Sequence, residues 1–230
     1  EELERFAYVA SHDLREPLRT VTGFLTLLSQ NYAAQLTGKA REYVGHALAG
    51  AQRMQAMIDA LLNLSRVETR GKPLVATDSE AVLSATLNAL QARLQETGAE
   101  ITHDPLPHVM ADDAQLGQLF QNLIANALKF RRADVPPKIH LSAEQEGQLW
   151  RFSIRDNGIG IAPEESERIF QLFQRLHTEE EYPGLGIGLA LCKRIVERHE
   201  GQIWMESETG CCTTFFFTLQ SGEANQRRET

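Results

Sequence analysis

From Leu3 to Leu28 the apolar residues fall on a seven-residue frame, with Ala7, Leu14, Val21 and Leu28 at one seam position and Leu3, Ala10, Pro17 and Phe24 at the other. Leu18 and Leu25 widen the stripe. The frame returns over residues 44–68, where Val44, Ala51 and Ile58 hold one position, Ala47, Met54 and Leu61 the other, and Leu48 and Leu62 broaden the face. Between them Tyr32 to Lys39, with Thr37-Gly38, reads as the turn of a helical hairpin. A lone hairpin leaves half of such a face in water. The pattern therefore predicts a homodimeric four-helix bundle, with packing of the hairpin against the rest of the chain as the alternative.

Gly71 and Pro73 in Arg70-Gly71-Lys72-Pro73 stop the second helix and set a domain boundary there. The period then alternates. Helices are predicted over 78–96, 113–130 and 186–199, and strands near Ile101 and over 138–143, 149–156, 202–207 and 213–219, the first long pair turning at Glu146-Gly147. This order predicts an α+β sandwich with a mixed or antiparallel sheet on one side and helices on the other. The expected organisation is a hairpin over 1–70, an α+β domain over 71–220 and a flexible polar tail from Ser221.

With 230 residues, 42% hydrophobic and 23% charged, the chain can bury one sizeable core or two smaller ones, which excludes disorder. No apolar run approaches the roughly 18 residues of a membrane span, and the acidic start Glu1-Glu2-Leu3-Glu4 is unlike a secretion signal. A soluble, cytoplasmic segment without membrane contact is expected. Cys192, Cys211 and Cys212 are odd in number, two are adjacent, and no His or Cys stands at metal-ligand spacing from them, so reduced thiols are expected. The formal net charge of -8 excludes nucleic-acid binding driven by overall positive charge, and the whole acidic excess lies beyond residue 70.

On the heptad frame His12 falls farthest from the seam and should project into solvent. In Ser11-His12-Asp13-Leu14-Arg15-Glu16-Pro17 a carboxylate adjoins it, another follows one turn on, and a proline interrupts the helix ladder. A carboxylate bonded to one ring N–H makes the other nitrogen more nucleophilic, which is the chemistry of an exposed phosphoryl acceptor. Asn122, Asn126 and Lys129 share one face of the 113–130 helix. Two amides and an ammonium there suit Mg²⁺ and phosphate oxygens, unless the amides only bond locally.

Asp156-Asn157-Gly158-Ile159-Gly160-Ile161 after a strand is either a plain turn or a site where Asp156 accepts from the exocyclic amine of adenine. Gly184-Leu185-Gly186-Ile187-Gly188-Leu189 opens a helix whose N-terminal N–H groups can hold a phosphate; it is neither a Walker loop nor a dinucleotide fingerprint. The polar run Glu179-Glu180-Glu181-Tyr182-Pro183 ahead of it suits a mobile lid or a solvated loop.

In this order the segments resemble the transmitter region of two-component sensor histidine kinases over residues 1–220. Ser11 to Pro17 is similar to the H box, Asn122 to Phe130 the N box, Asp156 to Ile161 the first glycine box, Phe170 to Phe173 the F box, Gly184 to Leu189 the second glycine box and Gly210 to Phe215 the last. Ser11 to Leu18, with Arg53-Met54-Gln55 and Ser65-Arg66-Val67, is similar to the subgroup that includes phytochrome-like light sensors.

The resemblance implies a dimerisation and phosphoacceptor bundle followed by an ATP-binding domain of the Bergerat type. It implies His12 as nucleophile, Asp13 as its base or orienter, Asn126 as principal Mg²⁺ ligand with Asn122 assisting, Lys129 on phosphate and Asp156 on adenine. Gly158, Gly160, Gly184, Gly186 and Gly188 would shape the pocket, and Phe170 and Phe173 would anchor the base of a lid or pack in the core. ATP and Mg²⁺ are the implied cofactors, a response-regulator receiver domain the implied partner, and a sensor module would lie outside this segment. Three positions depart from the family pattern. Glu16 stands where Thr or Asn is common, which implies weak phosphatase activity; Leu185 replaces a usual Thr, and Cys212 a glycine. A clamp-type ATPase and a degenerate kinase acting as a binding scaffold are the competing readings.

Overall fold

The structure, a computed structural model, describes residues 2–69, 71–176, 178, 181–182 and 184–222, and for residues 2–13 and 68 it describes the helical backbone alone. The chain divides into two compact units after Thr69.

The first unit is a hairpin of α1 (Glu2–Asn31) and α2 (Gly38–Thr69). α1 runs through Pro17, whose missing N–H deletes one ladder bond. The second helix begins at Gly38, inside the stretch read as the turn, because the Thr37 hydroxyl accepts from Ala40 N–H and caps it. Leu18, Ala51, Ile58 and Leu62 form the hairpin's own core, with Leu25 packed at its edge. Across the two helices the Arg15 guanidinium forks onto one oxygen of Asp59, at 3.1 Å from Nε and 2.5 Å from Nη2. Leu14, Val21, Phe24 and Leu28 stay 41–64% exposed in the single chain.

The second unit holds a five-stranded sheet in the order β2 (Glu100–His103), β4 (Lys138–Glu146), β5 (Leu149–Asp156), β7 (Cys212–Gln220), β6 (Ile203–Glu208). β2 runs parallel to β4 and every other pair is antiparallel, as a mixed sheet requires. α3 (Ser79–Thr97), α4 (Asp113–Lys129) and α5 (Gly188–Arg198) pack in sequence beside one another. α4 buries Leu116, Leu119, Phe120, Leu123 and Ile124, and Phe120 meets the rings of Phe152 and Phe217 at 6.2 Å. The apolar alternation of β4, β5 and β7 thus turns one sheet face onto the helices. Asp78 and Asp112 each accept two N–H groups at the starts of α3 and α4.

In this second unit three features differ from the sequence reading. A separate antiparallel ribbon of β1 (Val75–Asp78) and β3 (His108–Ala111) was not expected; its four-residue strands are too short to show a period. α5 starts at Gly188 rather than 186, since Gly186 takes a left-handed φ of 70°. Ser221, read as the start of a flexible tail, is buried: its N–H donates to the Gln148 carbonyl at 2.9 Å and it bridges Val109. The rest of that tail, 223–230, lies outside the described residues, as do His177, Glu179, Glu180 and Pro183.

Candidate functional site

The helix face that carries Asn126 and Lys129 ends α4 beside the C-terminal end of β5, so an ammonium and an amide arrive next to Asp156. With the start of α5 and the segment leading to it, they line a cavity of about 480 Å³, within the range of small-molecule sites. Asp156 is 8% exposed and accepts from the Gly158 N–H at 2.8 Å, and the Thr213 backbone also bonds it. Burial outweighs those two bonds and pushes the Asp156 carboxyl up to about 6. A buried acceptor of this kind favours a ligand that donates N–H.

The loop after Asp156 is held by close contacts. A side chain at Gly158 would strike the Phe130 carbonyl, at 2.6 Å from the added Cβ, and Gly160 combines a φ of 72° with the Glu208 carbonyl pressed against it. The loop is stitched to the sheet beyond. Gly210 N–H donates to the Ile159 carbonyl at 2.7 Å, Ile161 N–H to the Ser207 hydroxyl at 2.8 Å, and that hydroxyl to the Cys212 carbonyl at 2.7 Å. Departure from glycine at Cys212 is accommodated, because Cys212 is the first residue of an ordinary strand.

Lys129 lies over the Phe130 ring, Nζ 4.6 Å from its centroid, and that ring meets Tyr182 at 5.0 Å. Its pKa is pulled below the usual lysine value first by burial and then by the nearby cations Arg175 and Arg93. Arg175 donates Nη2 to the Tyr182 carbonyl at 3.0 Å and lines the same cavity. Two cations held close in a half-buried space favour an anion between them. Gly186, Ile187, Gly188 and Leu189 also line it, so the first turn of α5 brings its unbonded N–H groups to the same place.

Of the residues singled out from sequence, Asn126, Lys129, Asp156, Gly160, Gly184, Gly186 and Gly188 line this one cavity. Gly158 sits behind it, braced on Phe130. Asn122 is not in the lining: its carboxamide oxygen would sit 3.9 Å from a Cβ at Gly188, and its amide is within hydrogen-bonding reach of the buried Cys192 sulfur. Phe170 packs edge-on against Phe215 at 6.4 Å, while Phe173 is 41% exposed and ties to the second glycine run through its N–H on the Gly186 carbonyl. His12 and Asp13 lie on α1, with side chains outside the described residues.

Residues 2–70 match the family "His Kinase A (phospho-acceptor) domain", and residues 111–223 match "Histidine kinase-, DNA gyrase B-, and HSP90-like ATPase". The chain belongs to the sensor histidine kinases. This transmitter region is 52% identical over 99% of its length to cyanobacterial phytochrome A of Nostoc sp., and 46% identical over 96% to the phytochrome-like protein Cph1 of Synechocystis sp.. The expected phytochrome-like subgroup is therefore the right one. The chain spans about three tenths of the length of these relatives, 30% and 29%. Among solved structures it resembles full-length ShkA in complex with AMPPNP, with a TM-score of 0.67 and 29% identity, covering 94% of this chain and 45% of that one. No helix among the described residues is long and apolar enough to cross a membrane.

Tyr182, from the run read as a lid or solvated loop, and Thr213 and Phe215, from the last glycine box, also line the transmitter's cavity, as does Arg175, which no sequence motif included. Arg175 follows the F-box phenylalanines by two residues, a basic position that could have been read as an anion contact. Thr213 reaches the site through strand pairing, which sets it opposite Asp156.

Proposed function

We propose that this chain is the catalytic core of a sensor histidine kinase that binds ATP in the second unit, phosphorylates His12 and passes the phosphoryl group to an aspartate of a response regulator. The observation that carries this reading is the joint presence, in one cavity of about 480 Å³, of a buried carboxylate acceptor and two converging cations. Asp156 accepts from the exocyclic amine of adenine. Lys129, Arg175 and the first turn of α5 take the phosphates. The family description names an ATPase, and ShkA, similar over nearly the whole chain, is bound to an ATP analogue.

Asn126, a cavity-lining amide on the face that carries Lys129, suits a hard cation through its carboxamide oxygen, and Asn122 one turn earlier on the same face holds a second amide near the start of α5. A magnesium ion held there, by Asn126 with Asn122 assisting, supplies charge neutralisation on the phosphates. Residues 1–70 serve as the dimerisation and phosphoacceptor hairpin, and residues 71–220 as the ATP-binding catalytic domain. A ring nitrogen of His12, oriented by Asp13, forms the new N–P bond as the bond from the γ-phosphorus to the bridging oxygen of ADP breaks. Catalysis is then mostly positioning and electrostatics. Glu16 in place of a water-positioning Thr or Asn makes phosphatase activity weak. The segment works in the cytoplasm beside a sensor module that the longer relatives leave room for.

The test is incubation with γ-labelled ATP and Mg²⁺. Acid-labile, base-stable label accumulates on the wild-type chain, and His12→Gln abolishes it while nucleotide affinity stays unchanged. Undiminished label of the same lability on His12→Gln would remove His12 from its role, and absence of label from a chain that binds ATP would make it a scaffold.

A further inference from the structure

The turn between β6 and β7 carries a side-chain cluster outside the lining of the cavity described above. Glu208 and Cys212 are direct cross-strand partners, the last pair of the ladder, so their side chains leave the sheet side by side. Cys211 N–H closes the turn on the Glu208 carbonyl at 3.0 Å, and Gly210 supplies the left-handed φ of 81° that the reversal needs. The turn brings the third side chain back to the other two. One ligand atom from each of Glu208, Cys211 and Cys212 lies within 4.8 Å of the others, and the two thiols are in hydrogen-bonding reach of each other. The cluster is open to solvent, with Cys211 exposed.

We propose that this turn is a binding site for a soft divalent cation of the zinc and cadmium class, held by Cys211 Sγ, Cys212 Sγ and a Glu208 carboxylate oxygen. Two sulfurs on one zinc-type ion stand about 3.8 Å apart at bond lengths of about 2.3 Å, so the cluster needs only a small contraction. Thiolates select soft metals over the magnesium expected at the nucleotide site, and three protein ligands leave a fourth, tetrahedral position for water. Charge also fits. Two thiolates and a carboxylate carry three negative charges, against which stand the divalent ion and the Arg132 guanidinium, which donates Nη1 to the Gly210 carbonyl at 3.2 Å.

The sequence alone hid this site, because the thiols have no His or Cys at ligand spacing. The third ligand comes from strand register. The same turn supplies the Glu208 carbonyl that presses on Gly160 and the Gly210 N–H that holds Ile159, so an ion here would brace the loop behind Asp156.

The experiment titrates Cd²⁺ into the full chain, kept reduced with a thiol-free phosphine, and follows thiolate-to-cadmium charge-transfer absorption. Saturation at one cadmium per chain is expected, with loss of the signal in Cys211→Ser, Cys212→Ser and the double variant. The double variant retains Cys192, fully buried, and so reports any adventitious thiol signal. Glu208→Gln should weaken Cd²⁺ binding by at least about tenfold while leaving the absorption at saturation in place. Thermal melts of all variants check that the turn still folds. No charge-transfer signal, a signal that survives the double variant, saturation at one cadmium per two chains, or unchanged affinity in Glu208→Gln would each overturn the proposal.

Discussion

The Asp156 carboxylate accepts a 2.8 Å hydrogen bond from the N–H of Gly158, two residues on, yet burial still lifts its pKa from 3.8 to about 6. The folded value lies above the unfolded one. Its stability contribution is therefore fully present below pH 3.8 and lost as pH rises through 6, a cost of about 3 kcal/mol to the nucleotide-free domain at neutral pH. Asp156→Asn removes that cost: the variant should melt higher than wild type at pH 8, with the difference vanishing below about pH 4. Adenosine, which has no phosphate to titrate, should bind wild type with constant affinity above pH 6 and progressively worse below it. The variant should bind about tenfold more weakly, with a flat profile. A lower melting temperature for Asp156→Asn at pH 8 would contradict the burial cost.

Arg175 and Lys129 line the same cavity, where the proposed nucleotide would set its phosphates. Arg175→Ala should weaken ATP by about tenfold, the loss of one charge-assisted contact, and leave adenosine unchanged. The same variant removes a cation that depresses Lys129, so the amine's pKa should move back up towards 10.5. Acylation of Lys129 as a function of pH would read that shift. Equal losses for ATP and adenosine would place Arg175 in the framework of the cavity instead.

How far the site and fold were legible depended on the range of the interaction. The glycine runs and the Asn126–Lys129 face are local, and they could be read because one helix or one turn fixes them. Arg175 and Thr213 reach the cavity only through chain reversals and strand pairing, and no period marks them. The heptad frame found the apolar stripe of α1 but not its cover. Leu18 and Leu25, read as broadening residues, meet α2, whereas the seam residues Leu14, Val21, Phe24 and Leu28 are left uncovered. An apolar stripe records that something packs there, not which helix does. β1 shows a single buried position, Thr77, and could not have been distinguished from a linker.

His199 is a buried group of the opposite sign. It is 2% exposed, its Nδ1 bonds the Ile195 carbonyl at 2.7 Å and its Nε2 accepts from Asp112 N–H at 3.1 Å, an arrangement that only the neutral ring can complete. Burial chiefly lowers its pKa below 6.5, with the Arg198 guanidinium adding to this and the Ile195 bond and Asp112 charge opposing it. The folded value lies below the unfolded one, so its contribution is full above 6.5 and lost as pH falls through the folded value. His199→Ala should cost about 1–3 kcal/mol at pH 8, from the two partners left unbonded, and chemical denaturation should show a shallower acid loss than wild type. An unchanged pH slope would mean that another group carries the acid dependence.

Leu14, Val21, Phe24 and Leu28 form an apolar stripe on α1, 41–64% exposed, that the hairpin itself does not cover. Burying a large apolar side chain is worth about 1.5–3 kcal/mol, so four of them on each of two copies are enough to hold a second hairpin. The Arg15–Asp59 pair, with side chains 37% and 48% exposed, adds at most about 1 kcal/mol within one hairpin. Val21→Glu with Phe24→Glu should therefore shift the chain from dimer to monomer in sedimentation velocity while leaving ATP affinity unchanged. Asp59→Ala should leave the dimer intact and lower hairpin stability only slightly. Leu62→Ala, which opens a cavity inside the hairpin core, should instead destabilise the folded hairpin by about 2–5 kcal/mol. A doubly charged stripe that still sediments as a dimer would show that the chains associate through another surface.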